Sequence, residues 1–257
     1  MKRIIFILGI FFILSLRVNA TSWGRMERTC PICNHKQTYY IVISWGTYVY
    51  YWESKYQYVY WPLTESRSIY SCQECHFSSY MWDFDSIPDN KIIPLKQYLA
   101  TVKLEKEQEG YIYIPTTTRL EIAENVYKIL ERNENFWCRF YRVMGYHYDE
   151  EKNAIQAKAS RVKALNIAKD MLSDSLYAEQ KKESFFIIAA MYNFIGNKDS
   201  ALIYLDSASL VTYDLSTYKK NKRKKIKTNG ADEYLTDLIT QYKEFIKKEN
   251  EVIINEE

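Results

Sequence analysis

Cys30-Pro31-Ile32-Cys33 and Cys72-Gln73-Glu74-Cys75 decide how this chain folds. In each Cys-x-x-Cys the backbone turns so that two sulfurs converge on one point. Two such turns supply the four thiolates that a tetrahedral zinc ion takes, so Cys30, Cys33, Cys72 and Cys75 are the candidate metal ligands. Residues 34–71 lie between them, enough chain for one or two β-hairpins, which is the plan of a zinc ribbon. The expected fold is therefore α+β: a small antiparallel zinc-ribbon-like module followed by a mainly α-helical domain.

The chain between the two turns is aromatic. Ile41-Val42-Ile43 and Tyr48-Val49-Tyr50-Tyr51-Trp52 are rich in β-branched and aromatic residues, and Tyr56, Tyr58 and Tyr60 alternate at period two. These are strand signals, broken at Ser44-Trp45-Gly46 and Glu53-Ser54-Lys55. They predict one small antiparallel sheet joining the turns. The aromatic side chains are read as the core of that sheet, with a carbohydrate or peptide platform as the sharper alternative. Beyond Asp85, Leu95–Leu104 predicts a short helix and Tyr111–Ile114 a strand that Pro115 ends.

From Thr118 the period changes to that of a helix. Thr118-Arg119-Leu120-Glu121 fits a capping box, and Leu120, Ala123, Val126, Tyr127 and Leu130 then share a face. Further helices are expected at Phe136–Tyr146, along the stripe Ile155, Val162, Leu165, Ala168 and Leu172, and at Phe185–Ile195 and Ser200–Leu210. Leu235, Leu238, Ile239, Tyr242 and Phe245 mark one more. Short connections between amphipathic helices predict a bundle or a short solenoid. Phe185, Ile188, Ala189, Tyr192, Gly196, Ala201, Leu205 and Ala208 match the large and small packing positions of a tetratricopeptide unit. The expected division is 1–20, 21–117 for the β module with its connecting segment, and 118–257 for the helical domain.

Residues 1–20 read as a secretory signal. Lys2 and Arg3 precede an apolar run, Ile4–Leu16, and Val18-Asn19-Ala20 offers small residues for cleavage after Ala20. The run is short for a bilayer span, so no stable membrane insertion is expected after cleavage. The location is then periplasmic or secreted. Of the 35 basic residues against 32 acidic, Lys2, Arg3 and Arg17 lie in this segment, so the remainder is balanced in charge. That balance argues against a nucleic-acid partner. The basic run Lys219–Lys227 is read as a solvated loop.

Export leaves other readings of the cysteines open. Thiols outside the cytoplasm oxidise readily, which favours disulfides, although disulfide frameworks rarely consist of two separate Cys-x-x-Cys turns. Cys72-Gln73-Glu74-Cys75-His76 also has the Cys-x-x-Cys-His form of c-type haem attachment. A periplasmic redox or electron-transfer protein using Cys72, Cys75 and His76 is the alternative function on that reading. Cys138, between Phe136 and Phe140, reads as a small buried apolar residue. His147 reads as a helix-end polar residue.

The run Cys75-His76-Phe77-Ser78-Ser79-Tyr80-Met81-Trp82-Asp83-Phe84 resembles the continuation of the second knuckle in a widespread bacterial family of unknown function. In that family two Cys-x-x-Cys knuckles precede tetratricopeptide-like helices. Phe136-Trp137-Cys138-Arg139-Phe140-Tyr141-Arg142 is similar to a segment of its helical part. The resemblance spans about Thr29 to Ala208, with Gln73 where the family has proline and His76 where it has glycine. It implies a metal-stapled module on a helical repeat and carries no activity.

No paired carboxylates, nucleophile elbow, glycine-rich phosphate loop or His-Glu-x-x-His motif occurs, so no catalytic residues are assigned. The function expected is that of an exported, non-catalytic interaction or scaffold protein, with structural zinc and a helical surface for a peptide or protein partner.

Overall fold

The computed structural model describes residues 22–45, 52–104, 108–212 and 229–256. The expected signal segment, the strand over Tyr48–Tyr51 and the basic run at 219–227 lie outside these residues. The chain is α+β, with two small antiparallel sheets followed by helices. Strand β1 (Ser22–Thr29) pairs with β2 (Lys36–Ser44), and β3 (Ile69–Ser71) pairs with β4 (Ser78–Tyr80). Helices α1 (Trp52–Tyr56), α2 (Asp89–Leu99), α3 (Thr116–Ile129), α4 (Glu134–Glu150), α5 (Ala154–Ser173), α6 (Lys181–Phe194), α7 (Lys198–Ser209) and α8 (Asn229–Glu256) complete the described chain.

The sheets correct one expectation. Among the described residues no single sheet runs between the cysteine pairs; each pair sits at the tip of its own hairpin, and β1 precedes the first pair. Tyr56, Tyr58 and Tyr60 do not form a strand. Tyr56 ends α1, and Tyr58 takes a left-handed backbone at φ 56°. Their rings go to three different partners: Tyr56 stacks on Tyr242, Tyr58 meets Phe186 edge-on, and the Tyr60 hydroxyl lies 3.3 Å from that of Tyr234. Period-two alternation here records three tertiary contacts and not a pleat. Tyr111–Tyr113, expected as a strand, is a single 3-10 turn that buries Tyr111.

The helical half follows its caps. Asn133, Asn153 and Asn197 each accept a hydrogen bond from the backbone N–H three residues on, at 2.9, 3.2 and 3.0 Å, which starts α4, α5 and α7. Gly196, at φ +91°, makes the turn into α7, a conformation that costs glycine nothing. Helix α3 starts earlier than its capping-box reading. Pro115 holds the N-cap position, and the Thr117 N–H donates to Glu151 Oε1 at 3.2 Å. A carboxylate from the end of α4 thus complements the positive end of α3. The stripe on α5 is also shifted. Ile155 is 81% exposed, while Ala157, Ala164, Leu165, Ala168 and Met171 are buried. Small residues form that face, so hydrophobicity alone misplaced it.

Helix α4 packs on α5, α5 on α6, and α6 on α7, with α8 closing against α6 and α7. Ala189, Ala201 and Ala208 are fully buried and let α6 and α7 approach closely. Three apolar clusters result. One lies within α4–α8 and takes in Tyr56. The second joins Cys30, Cys72 and the aromatics Tyr39, Tyr70, Phe77, Phe84 and Tyr111 to α2 and α3. The third packs Val59, Ile69 and Tyr80 against α3 and α4. The helices therefore form the floor on which both hairpins rest.

Candidate metal centre

Each hairpin carries the same turn. Asn34 N–H donates to the Cys30 carbonyl at 3.0 Å and Cys30 N–H to the His35 carbonyl at 2.8 Å. In the second hairpin His76 N–H donates to the Cys72 carbonyl and Cys72 N–H to the Phe77 carbonyl, both at 2.9 Å. Asn34 and His76 occupy the same position and both are left-handed, at φ 64° and 60°. A left-handed residue after the second cysteine reverses the chain into the return strand, so the knuckle follows from a handful of residues and not from its surroundings.

The two turns face each other. Cys30 Sγ lies 3.7 Å from Cys75 Sγ, and Cys33 Sγ lies 3.6 Å from Cys72 Sγ. The four sulfurs all lie within 4.8 Å of one another, and no histidine nitrogen belongs to the cluster. A tetrahedral ion with bonds of about 2.3 Å holds its sulfurs roughly 3.8 Å apart. A disulfide would hold them at about 2.05 Å. The observed separations fit the first arrangement, and the close contacts run between knuckles and not within them.

Burial and charge set the chemistry of the donors. Cys30 and Cys72 are buried, while Cys33 and Cys75 are half-buried beside a cavity of 460 Å³ that His76, Glu74 and Lys96 also line. Hydrogen bonds from Cys72 and Cys75 lower the Cys30 thiol, and the hydrogen bonds that Cys75 makes to Cys30 and Cys72, together with burial, push Cys75 up. Without a cation Cys30 is favoured as the thiolate and Cys75 as a thiol that donates to it. A divalent ion removes that opposition and lets all four ionise.

A side chain that sequence reasoning missed locks the hairpins together next to the sulfurs. Gln37 donates from Nε2 to the Ser71 carbonyl at 2.9 Å and accepts the Gln73 N–H on Oε1 at 2.7 Å. Its amide thus bridges β2 to the second knuckle. The signal was present in the alternation: Gln37 shares the inward face with Tyr39.

The segment between the hairpins is held by buried cations, also missed. Arg119 is fully buried and donates to the carbonyls of Ile114, Ser66 and Ile69 and to Thr116 Oγ1, and burial lowers it to about 10. Arg142 donates to the carbonyls of Gln57 and Tyr58, and Arg161 to Gln57 Oε1 and Asp149. His147 is buried, with Nε2 2.8 Å from the Leu63 carbonyl, and burial lowers it to about 4. A neutral ring donating to that carbonyl is a structural tie. Asp83 accepts from Tyr127 and pairs with Arg132, and Asp85 pairs with Arg28. Cys138 is buried against α5, with its sulfur 3.7 Å from the Ala164 carbonyl, and burial raises its thiol.

No family model, no curated protein and no solved structure matches this chain.

Proposed function

We propose that this protein is an exported, non-catalytic interaction protein in which Cys30, Cys33, Cys72 and Cys75 hold one structural zinc ion. The zinc joins the tips of two hairpins. The helical hairpins behind them, tetratricopeptide-like in their small and large packing positions, offer a surface for a peptide or protein partner. The observation that carries this reading is the convergence of four sulfurs at tetrahedral spacing. A donor set of four soft thiolates suits zinc, and 10 or more kcal/mol is typical of what structural zinc contributes to small folds. The order of parts, paired knuckles and then helices, agrees with the bacterial family that the sequence resembles.

The buried Arg119, Arg142, Arg161 and His147 and the half-buried Asp83 support a non-catalytic role, because they are committed to backbone or side-chain partners. Export rests on the reading of residues 1–20, and N-terminal sequencing of secreted protein beginning at Thr21 would support it. The zinc reading is tested by elemental analysis and an absorption spectrum of protein from the native host. One zinc per chain without a Soret band is the expected result. A Soret band, or metal-free thiols that cycle reversibly, would favour the electron-transfer alternative instead. Metal content unchanged in Cys30→Ser would refute a four-cysteine site.

A further inference from the structure

A second cavity lies on another side of the hairpins, away from the sulfurs, and measures 610 Å³. Four parts of the chain that are distant in sequence build it: the β1–β2 hairpin, the segment between the hairpins, the chain after β4, and α4. Ile41 and Val42 come from β2, Trp61-Pro62-Leu63 from the segment between the hairpins, and Met81-Trp82 from the chain after β4. Among the described residues, the charged side chains in its lining are Arg28 of β1 and Arg139 of α4, and none is a carboxylate.

The two arginines differ. Arg28 pairs with Asp85 through Nη1, but its Nε is buried without an acceptor among the described residues. Arg139 is exposed and has no carboxylate partner among the described residues, its guanidinium lying 6.0 Å from the Phe136 ring. A buried donor without an acceptor and a guanidinium without an anion are two independent deficits at one cavity, and both are met by an anionic oxygen. The rest of the wall is aromatic and aliphatic. Trp82, 59% exposed, offers an indole at the cavity to a flat apolar group.

We propose that this cavity binds an aromatic carboxylate, whether a free small acid or the C-terminal carboxylate of a chain ending in an aromatic residue. The volume falls within the range of about 300–1,000 Å³ typical of sites for small organic ligands. A single carboxylate matches one guanidinium that lacks a counter-ion. A phosphate, with more charge and no apolar body, would leave the aromatic wall unused. The site is independent of the helical surface invoked above, and its failure would leave that reading standing.

The probes are phenylacetate and phenylacetamide, with Gly-Gly-Phe carrying a free or an amidated C-terminus, titrated calorimetrically into the zinc-loaded full chain. The carboxylate of a pair should bind roughly tenfold more tightly than its amide. Arg139→Gln, on an exposed helix face, should erase that preference while circular dichroism and zinc content stay unchanged. Trp82→Ala should weaken acid and amide alike. Binding of phenylacetate supports a free acid as the ligand, and binding of the tripeptide alone supports a chain terminus. The proposal is overturned if neither carboxylate binds at millimolar concentration, or if the preference survives Arg139→Gln.

Discussion

The two hairpins present the same knuckle from opposite circumstances. The β1–β2 hairpin is long, eight residues against nine, and most of its side chains are exposed or half-exposed. The β3–β4 hairpin has three pairs, and every residue of both strands is buried. Tyr127 hydrogen-bonds the Tyr80 N–H from α3 at 2.8 Å, and Arg119 holds the Ile69 carbonyl. The inner hairpin is thus secured by the helical floor. The outer one is held by Gln37, by the Tyr39 cluster and by whatever joins the sulfurs. A common local geometry therefore coexists with very different anchoring to the helices.

Among the largest effects expected is that of metal removal on the outer hairpin. Chelation should lower amide protection in β1–β2 by roughly a hundredfold, about 2.7 kcal/mol of opening free energy, because a metal clip ties its tip to the inner hairpin. Protection in β3–β4 should change far less. Hydrogen exchange followed by mass spectrometry resolves the two segments. Equal loss in both would break the comparison, since it would make the inner hairpin as metal-dependent as the outer.

The same contrast explains what was legible in the sequence. The knuckles could be read because Cys-x-x-Cys followed by a left-handed residue is a local structure, complete within Cys30–His35 and Cys72–Phe77. The helices were legible from their stripes, and Asn133, Asn153 and Asn197 cap theirs through side chains that reach only three residues. The segment around Tyr56–Leu63 was not legible, because its conformation is imposed from far along the chain. Arg142 and Arg161 hold Gln57, His147 holds Leu63, and Arg119 holds Ser66. No periodicity encodes a carbonyl bonded to an arginine some 85 residues away. The four-sulfur cluster was anticipated from spacing. The aromatic cavity was not, because four separate segments build it.

Comparable in size are the ties to the helical floor. Arg119→Met should cost about 3 kcal/mol or more, since it leaves the Ile114, Ser66 and Ile69 carbonyls buried without their donor. Arg28→Met removes a partly exposed pair with Asp85 from the outer hairpin and should cost less than about 1 kcal/mol. Denaturant titration of both variants gives the ratio directly, and equal losses would contradict the assignment of inner and outer anchoring.

The tie made by His147 depends on pH. Its pKa is about 4 in the folded chain and about 6.5 when unfolded. Between those values the unfolded chain binds the extra proton, so stability is complete above about 6.5 and falls as pH drops toward 4. The loss is about 3 kcal/mol over that window. His147→Gln keeps a donor for the Leu63 carbonyl and removes the titration. The stability of the wild type relative to the variant should therefore be constant above about pH 6.5 and fall steadily below it. A constant difference down to pH 4 would show that the ring is not held neutral by burial.

The smallest effects separate the knuckles themselves. Asn34 and His76 share a left-handed position, which the short polar side chain of asparagine suits better than an imidazole does. His76 also keeps a buried Nδ1 without a hydrogen-bond partner. Glycine at that position relieves both, so His76→Gly should raise stability by about 1 kcal/mol with zinc content unchanged. Asn34→Gly should change it by no more than about 0.5 kcal/mol, because the relief is smaller and the unfolded chain gains freedom. A thermal melt of the metal-loaded variants reads both numbers. If His76→Gly instead lost metal or a chromophore, the imidazole would be a ligand and the equivalence of the two knuckles would fail at their shared left-handed position.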